Sequence, residues 1–146
     1  MLQLASVLFL AVITSAGAER PSYEVAYQQA QDENKPLLVI VGADWCAACK
    51  MLKSETIEPM ESDGKLEDVI VTVVDKDARP DLAKQIMQGS TLPQLVVFSK
   101  ADSGWRKFSL QGNQSQGRVK ELIERASEGL GPIRSRLNGS RILGGR

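Results

Sequence analysis

Five consecutive apolar residues, Leu37-Leu38-Val39-Ile40-Val41, lead through Gly42-Ala43-Asp44 into Trp45-Cys46-Ala47-Ala48-Cys49-Lys50. An unbroken apolar run of this kind reads as a central strand covered on both faces. The stretch after it, Lys50-Met51-Leu52-Lys53-Ser54-Glu55, suits a helix. Both cysteines of the chain stand at this strand-to-helix turn. Two thiols separated by two residues can close a small disulfide, reopen it, and pass the oxidation state to another protein. The thiolate is the reactive form, and a helix N-terminus favours it through unpaired N–H groups and the helix dipole.

The remaining elements follow from local patterning. Ser22 is placed to cap a helix whose apolar positions Tyr23, Ala26, Tyr27 and Ala30 fall on one face, ended by Asn34-Lys35-Pro36. The helix of the cysteine motif is expected from about Cys46 to Glu58, with Pro59 breaking or kinking it. Val69–Val74 reads as a second buried strand closed by Asp75-Lys76-Asp77, and Pro80–Gln88 as a helix with Gly89 just past its end. Leu95–Phe98 and Trp105–Leu110 read as a hairpin around Ala101-Asp102-Ser103-Gly104. A last helix carries Val119, Leu122, Ile123 and Ala126 on one face. This order predicts an α/β fold: a central mixed sheet with helices on both faces.

The 146 residues carry 18 Lys+Arg against 18 Asp+Glu, and 42% are hydrophobic, the profile of one globular domain. Zero formal net charge supplies no general pull toward nucleic acid. The apolar run over residues 2–14 is shorter than the roughly 20 residues a membrane span needs. Ala16 and Ala18 fit a cleavage site before Glu19, although the segment has no Lys or Arg ahead of the run. We expect an export signal over residues 1–18, a domain over 19–128 and a flexible basic tail over 129–146. That places the protein in the periplasm or outside the cell, with no stable membrane insertion once the signal is cleaved. With both cysteines in one motif, the value of a bridge over so short a loop is chemical more than stabilising.

The WCxxCK motif, the element order and Thr91-Leu92-Pro93 just before a strand together resemble the thioredoxin superfamily. Within it, Ala43-Asp44-Trp45-Cys46-Ala47-Ala48-Cys49-Lys50 is most similar to exported bacterial thioredoxin-like domains, including the C-terminal domain of the DsbD thiol:disulfide interchange protein. The resemblance covers about residues 22–128 and implies a thioredoxin fold and a thiol–disulfide oxidoreductase. It implies Cys46 as the more exposed attacking thiol, Cys49 as the resolving thiol, and Trp45 as a shield beside the pair. Leu92 and Pro93, the latter matching the family's cis-proline, would form the shelf on which an extended client segment lies. The implied partners are protein thiol or disulfide clients and an upstream redox partner, the implied state is a monomer, and no cofactor is implied.

The departures are as informative. Many thioredoxins place a carboxylate six residues before the first cysteine, with a lysine on the neighbouring strand; here those positions are Ile40 and Val73. The DsbD-type domain has a further acid where this chain has Lys53. Asp44, Glu55, Asp75 or water could take the proton of Cys49, and resolution is expected to be slower than in acid-bearing relatives. Ala47-Ala48 puts no histidine between the cysteines, which argues against a strong oxidant. Two cysteines and no histidine exclude a Cys₄ or Cys₂His₂ zinc site within one chain. A non-catalytic binding module, or a carrier of a soft metal such as Cu(I) on two thiolates, stays open as the alternative.

Overall fold

The computed structural model describes residues 19–128. The expected export signal over residues 1–18 and basic tail over 129–146 lie outside the described residues. The elements run α1 (Tyr23–Asp32), β1 (Leu37–Gly42), α2 (Ala47–Met51), a π-helical segment (Leu52–Ile57), α3 (Glu58–Ser62), β2 (Ile70–Asp75), α4 (Pro80–Ile86), β3 (Gln94–Ala101), β4 (Gly104–Gln111) and α5 (Gln116–Ser127).

The strands form one sheet in the order β2-β1-β3-β4. β1 pairs parallel to β2 and antiparallel to β3, and β3 pairs antiparallel to β4. Every residue of β1 is buried, as its unbroken apolar run requires. Alternate side chains of a strand point to opposite faces. Leu38 and Ile40 therefore enter one core with Leu52, Ile57, Met60, Val119 and Leu122. Leu37, Val39 and Val41 enter the other with Ala26, Ala30, Ala83 and Ile86. Truncating one such residue to alanine costs about 2–5 kcal/mol, so these two layers hold the sheet between its helices. Tyr27 also stacks near Trp105, with ring centroids 5.3 Å apart, which makes Trp105 a packing residue of the sheet. On the surface, Arg79 hydrogen-bonds Glu24 and holds that carboxyl below its ordinary range, tying α1 to the start of α4.

Two local expectations need correction. The helix of the cysteine motif does not stop at Glu58; helical backbone continues through the π segment and α3 to Ser62. Glu58 donates its N–H to the Lys53 carbonyl five residues back, and Pro59 then falls in the first turn of α3. A proline is tolerated in a first turn, where its missing N–H has no intrahelical partner to lose. α4 ends at Ile86, before Gln88, and Gly89 sits in the following loop at φ +71°. The cause is a buried side chain, Gln94, which captures the main chain of Gln88 (below).

Candidate functional site

The turn after β1 brings both cysteines together. Cys46 caps α2 from an extended conformation, and its sulfur accepts the N–H of Cys49 at 3.2 Å. Cys46 and Cys49 are joined as a disulfide, with Cα atoms 5.2 Å apart. Two cysteines spaced this way on one helical turn need no backbone rearrangement to bridge. Cys46 is 7% exposed and Cys49 4%, so the residue expected to attack is the more open of the two only by a small margin in this closed state.

Gly42 makes that closeness possible. A Cβ at this position would lie 3.3 Å from both Cβ and Sγ of Cys49. Few side chains approach that closely, so a glycine here lets Cys49 pack on the strand end without either shifting by a few tenths of an ångström. Ala43, Ala48 and Leu92 surround the disulfide. Trp45 takes less of the shielding than expected, because the residue is 67% exposed. It leans on the turn after β2: its indole N–H donates to Asp77 Oδ2 at 2.7 Å, and Lys76 Nζ lies 5.5 Å from the ring centroid.

The Leu92–Pro93 peptide bond is cis, and Pro93 is buried next to the disulfide's neighbour Leu92. The Pro93 carbonyl accepts the N–H of Gly112 at 2.8 Å, which pins it to the end of β4. The Leu92 main chain enters no turn or loop hydrogen bond among the described residues. Main-chain groups left unpaired in this way are free to pair with the backbone of another chain. A groove of about 380 Å³ lies between Lys76, α4 and the Gly89-Ser90 loop.

Beneath Cys49 the site is apolar. Ile40 lies two residues before Gly42 on the same face of β1, and it pairs in register with Val73 of β2. Both belong to the core that contains Leu52. Of the three acids the sequence offers, Asp44 and Glu55 are exposed, while Asp75 is half-buried and in register with Gly42. Asp75 is thus on the face of the sheet that meets Cys49. Its Oδ1 accepts the N–H groups of Asp77 and Ala78 at 2.8 and 2.9 Å, which fixes the carboxylate in place. No group of three or more His, Cys, Asp or Glu able to hold a metal occurs among the described residues.

A family model described as thioredoxin-like matches residues 18–100, more than half of the chain. The chain belongs to the thioredoxin-like family. Human spermatogenesis-associated protein 20 is 36% identical over 87 residues, which are 58% of this chain and 10% of that protein. The chain therefore spans only a small part of the length of such curated relatives. Chloroplastic thioredoxin Y2 of Arabidopsis thaliana is 28% identical over 117 residues, covering 78% of this chain and 67% of that protein. Among solved structures, a thioredoxin from Thermus thermophilus superposes with a TM-score of 0.62 at 21% identity, over 74% of this chain and 86% of that one. That likeness establishes the thioredoxin fold.

Proposed function

We propose that the protein is a thiol–disulfide oxidoreductase that reduces protein disulfides through the Cys46–Cys49 couple. The observation that carries the reading is the closed Cys46–Cys49 disulfide at a helix start, with Leu92 packed against it and the Leu92 main chain unpaired. A binding module needs the shelf but not a closable dithiol beside it.

In the reduced form, the Cys46 thiolate attacks one sulfur of a client disulfide. A Cys46–client bond forms, and the client's other sulfur leaves as a thiolate and takes a proton. Cys49 then gives up its proton and attacks the Cys46 sulfur. The intramolecular disulfide closes and the client's second sulfur is released. The client gains two electrons and two protons, and an upstream dithiol partner returns the pair to its reduced form. The Cys49 N–H aimed at the Cys46 sulfur stabilises negative charge there. Asp75 is the carboxylate we assign to accept the Cys49 proton, since register sets it beside Gly42 and its turn holds it still.

We place this activity in the cell envelope on the strength of the apolar run over residues 2–14 and the small residues Ala16 and Ala18. The DsbD-like segment Ala43–Lys50 supports the same assignment. Intact mass of the protein recovered from its producing cells tests it: a mature chain starting at Glu19 supports export, and an uncleaved chain recovered from the cytosol contradicts it.

Insulin reduction with dithiothreitol as donor tests the activity itself. Wild type is expected to accelerate insulin precipitation, and Cys46→Ser to lose the acceleration by at least about a hundredfold, because the nucleophile is gone. Equal rates for the two proteins, or an inactive wild type, contradict it.

A further inference from the structure

Gln94 is a polar residue at the head of β3, just before the apolar run Leu95-Val96-Val97-Phe98, and it is 0% exposed. Its side chain makes three hydrogen bonds to the loop ahead of Leu92. The Gln88 N–H donates to Gln94 Oε1 at 2.9 Å. Gln94 Nε2 donates to the carbonyls of Gln88 at 2.8 Å and Thr91 at 3.0 Å. A carboxamide is the one side chain of this length that offers an acceptor and two donors in one plane. Its orientation is fixed as well, since turning it over would set NH₂ against N–H and oxygen against two carbonyls.

Other polar groups reinforce the same loop. Gln111 Nε2 donates to the Gln88 carbonyl at 2.9 Å, and Ser109 Oγ to Gln88 Oε1 at 3.0 Å. Lys107 Nζ donates to the Ile86 carbonyl at 3.3 Å. The segment between α4 and the cis-proline is thus tied to β3 and β4 from below, while its outer residues, Gln88 to Thr91, remain exposed. The last residue it delivers is Leu92, which packs on the disulfide.

We propose that Gln94 is the positioning residue of the client-docking shelf. By holding the main chain of Gln88 and Thr91, it fixes where the Leu92 backbone lies and leaves it open toward a client. It sets how tightly a protein disulfide docks, and it leaves the exchange chemistry of the cysteines alone. This inference rests on the thiol-exchange reading of the same site.

The test compares the full chain as wild type, Gln94→Met and Gln111→Ala on two substrates, insulin and the small disulfide dithiobis-nitrobenzoate. A small disulfide needs the thiols but not the shelf. For Gln94→Met the insulin KM is expected to rise roughly tenfold, the worth of one or two lost hydrogen bonds, with kcat and the small-disulfide rate within about twofold of wild type. Gln111→Ala, at an exposed position, is expected to shift the insulin KM in the same direction by about two- to threefold. In wild type the Gln88 amide is expected to exchange with deuterium more slowly than those of Gly89 and Ser90. An unchanged insulin KM in folded Gln94→Met, or equal losses on both substrates, overturns the proposal. Should that variant fail to fold, an unchanged KM in Gln111→Ala or a fast-exchanging Gln88 amide overturns it. A wild type that reduces neither disulfide removes the thiol-exchange reading and this proposal together; a wild type active on both with no KM change in the variants removes this proposal alone.

Discussion

The two walls of the disulfide site are built from opposite materials. On the sheet face that meets Cys49 at Gly42, β1 and β2 carry Leu38, Ile40, Val71 and Val73, side chains with no hydrogen-bonding atom. Beside Leu92 the structure spends the side chains of Gln94, Gln111, Ser109 and Lys107 on one short loop. An apolar wall stabilises by burial, which has no direction, so it holds the helix of the cysteines against the sheet without steering protons. A polar wall is directional: each bond fixes an atom, and an unmade bond in a buried site costs about 1–3 kcal/mol. One wall therefore governs how readily Cys49 loses its proton, and the other governs where a client lies. Asp75, in register with Gly42 at the rim of this face, has its carboxylate fixed by the N–H groups of Asp77 and Ala78.

The largest effect comes from making the apolar wall polar. Ile40→Asp puts an unpaired carboxyl among Leu38, Leu52 and Val73 and is expected to lower stability by about 3–5 kcal/mol in urea melts, the scale of an uncompensated buried charge. Where the variant stays folded, the mixed disulfide is expected to resolve faster than in wild type. Unchanged stability would show that water already reaches this wall.

A subtler change removes only the proton acceptor at the rim. Asp75→Asn keeps an oxygen for the Asp77 and Ala78 N–H groups but takes up no proton at neutral pH. Resolution of a preformed Cys46–client disulfide is expected to slow about ten- to a hundredfold in stopped-flow quench experiments, the lower end of general-base contributions. A rate equal to wild type would hand that role to water.

Gly42→Ala gives the smallest effect. The new methyl meets Cys49 at 3.3 Å, and the helix start must yield by a few tenths of an ångström. A loss of about 1–2 kcal/mol is expected in thermal melts of the oxidised protein, as for mild overpacking. No change would mean that the cysteine turn is looser than the packing at Gly42 requires.

How much of this was legible beforehand differs between the same two walls. The apolar one was plain in the sequence: Leu37–Val41 announces a buried strand by composition alone, and counting six residues back from Cys46 lands on Ile40. The neighbouring-strand position named with it, Val73, is its register partner in β2. The polar wall was not legible. Gln94 reads as a strand-end residue like any other, and its burial depends on where the 88–91 loop folds. Gly42 looked like a turn glycine, whereas its role is the close approach of Cys49. Asp75 could be singled out from Asp44 and Glu55 only once the register of β2 on β1 was known. The π turn before Pro59 carries no compositional mark, so the proline reads as a break or kink near Glu58. Patterns that depend on periodicity survive in one dimension; side chains that act on distant main chain do not.

The central claim is that Cys46 and Cys49 form a reversible couple poised for reduction of clients. Its most direct test is the reduction potential of the pair, measured by equilibration with defined glutathione ratios and mass-resolved alkylation. The account predicts a value near that of thioredoxin, about −270 mV, because no histidine between the cysteines stabilises the thiolate beyond the helix start. A value near about −120 mV, the range of a strong oxidant, or a pair that does not equilibrate with glutathione, would contradict it.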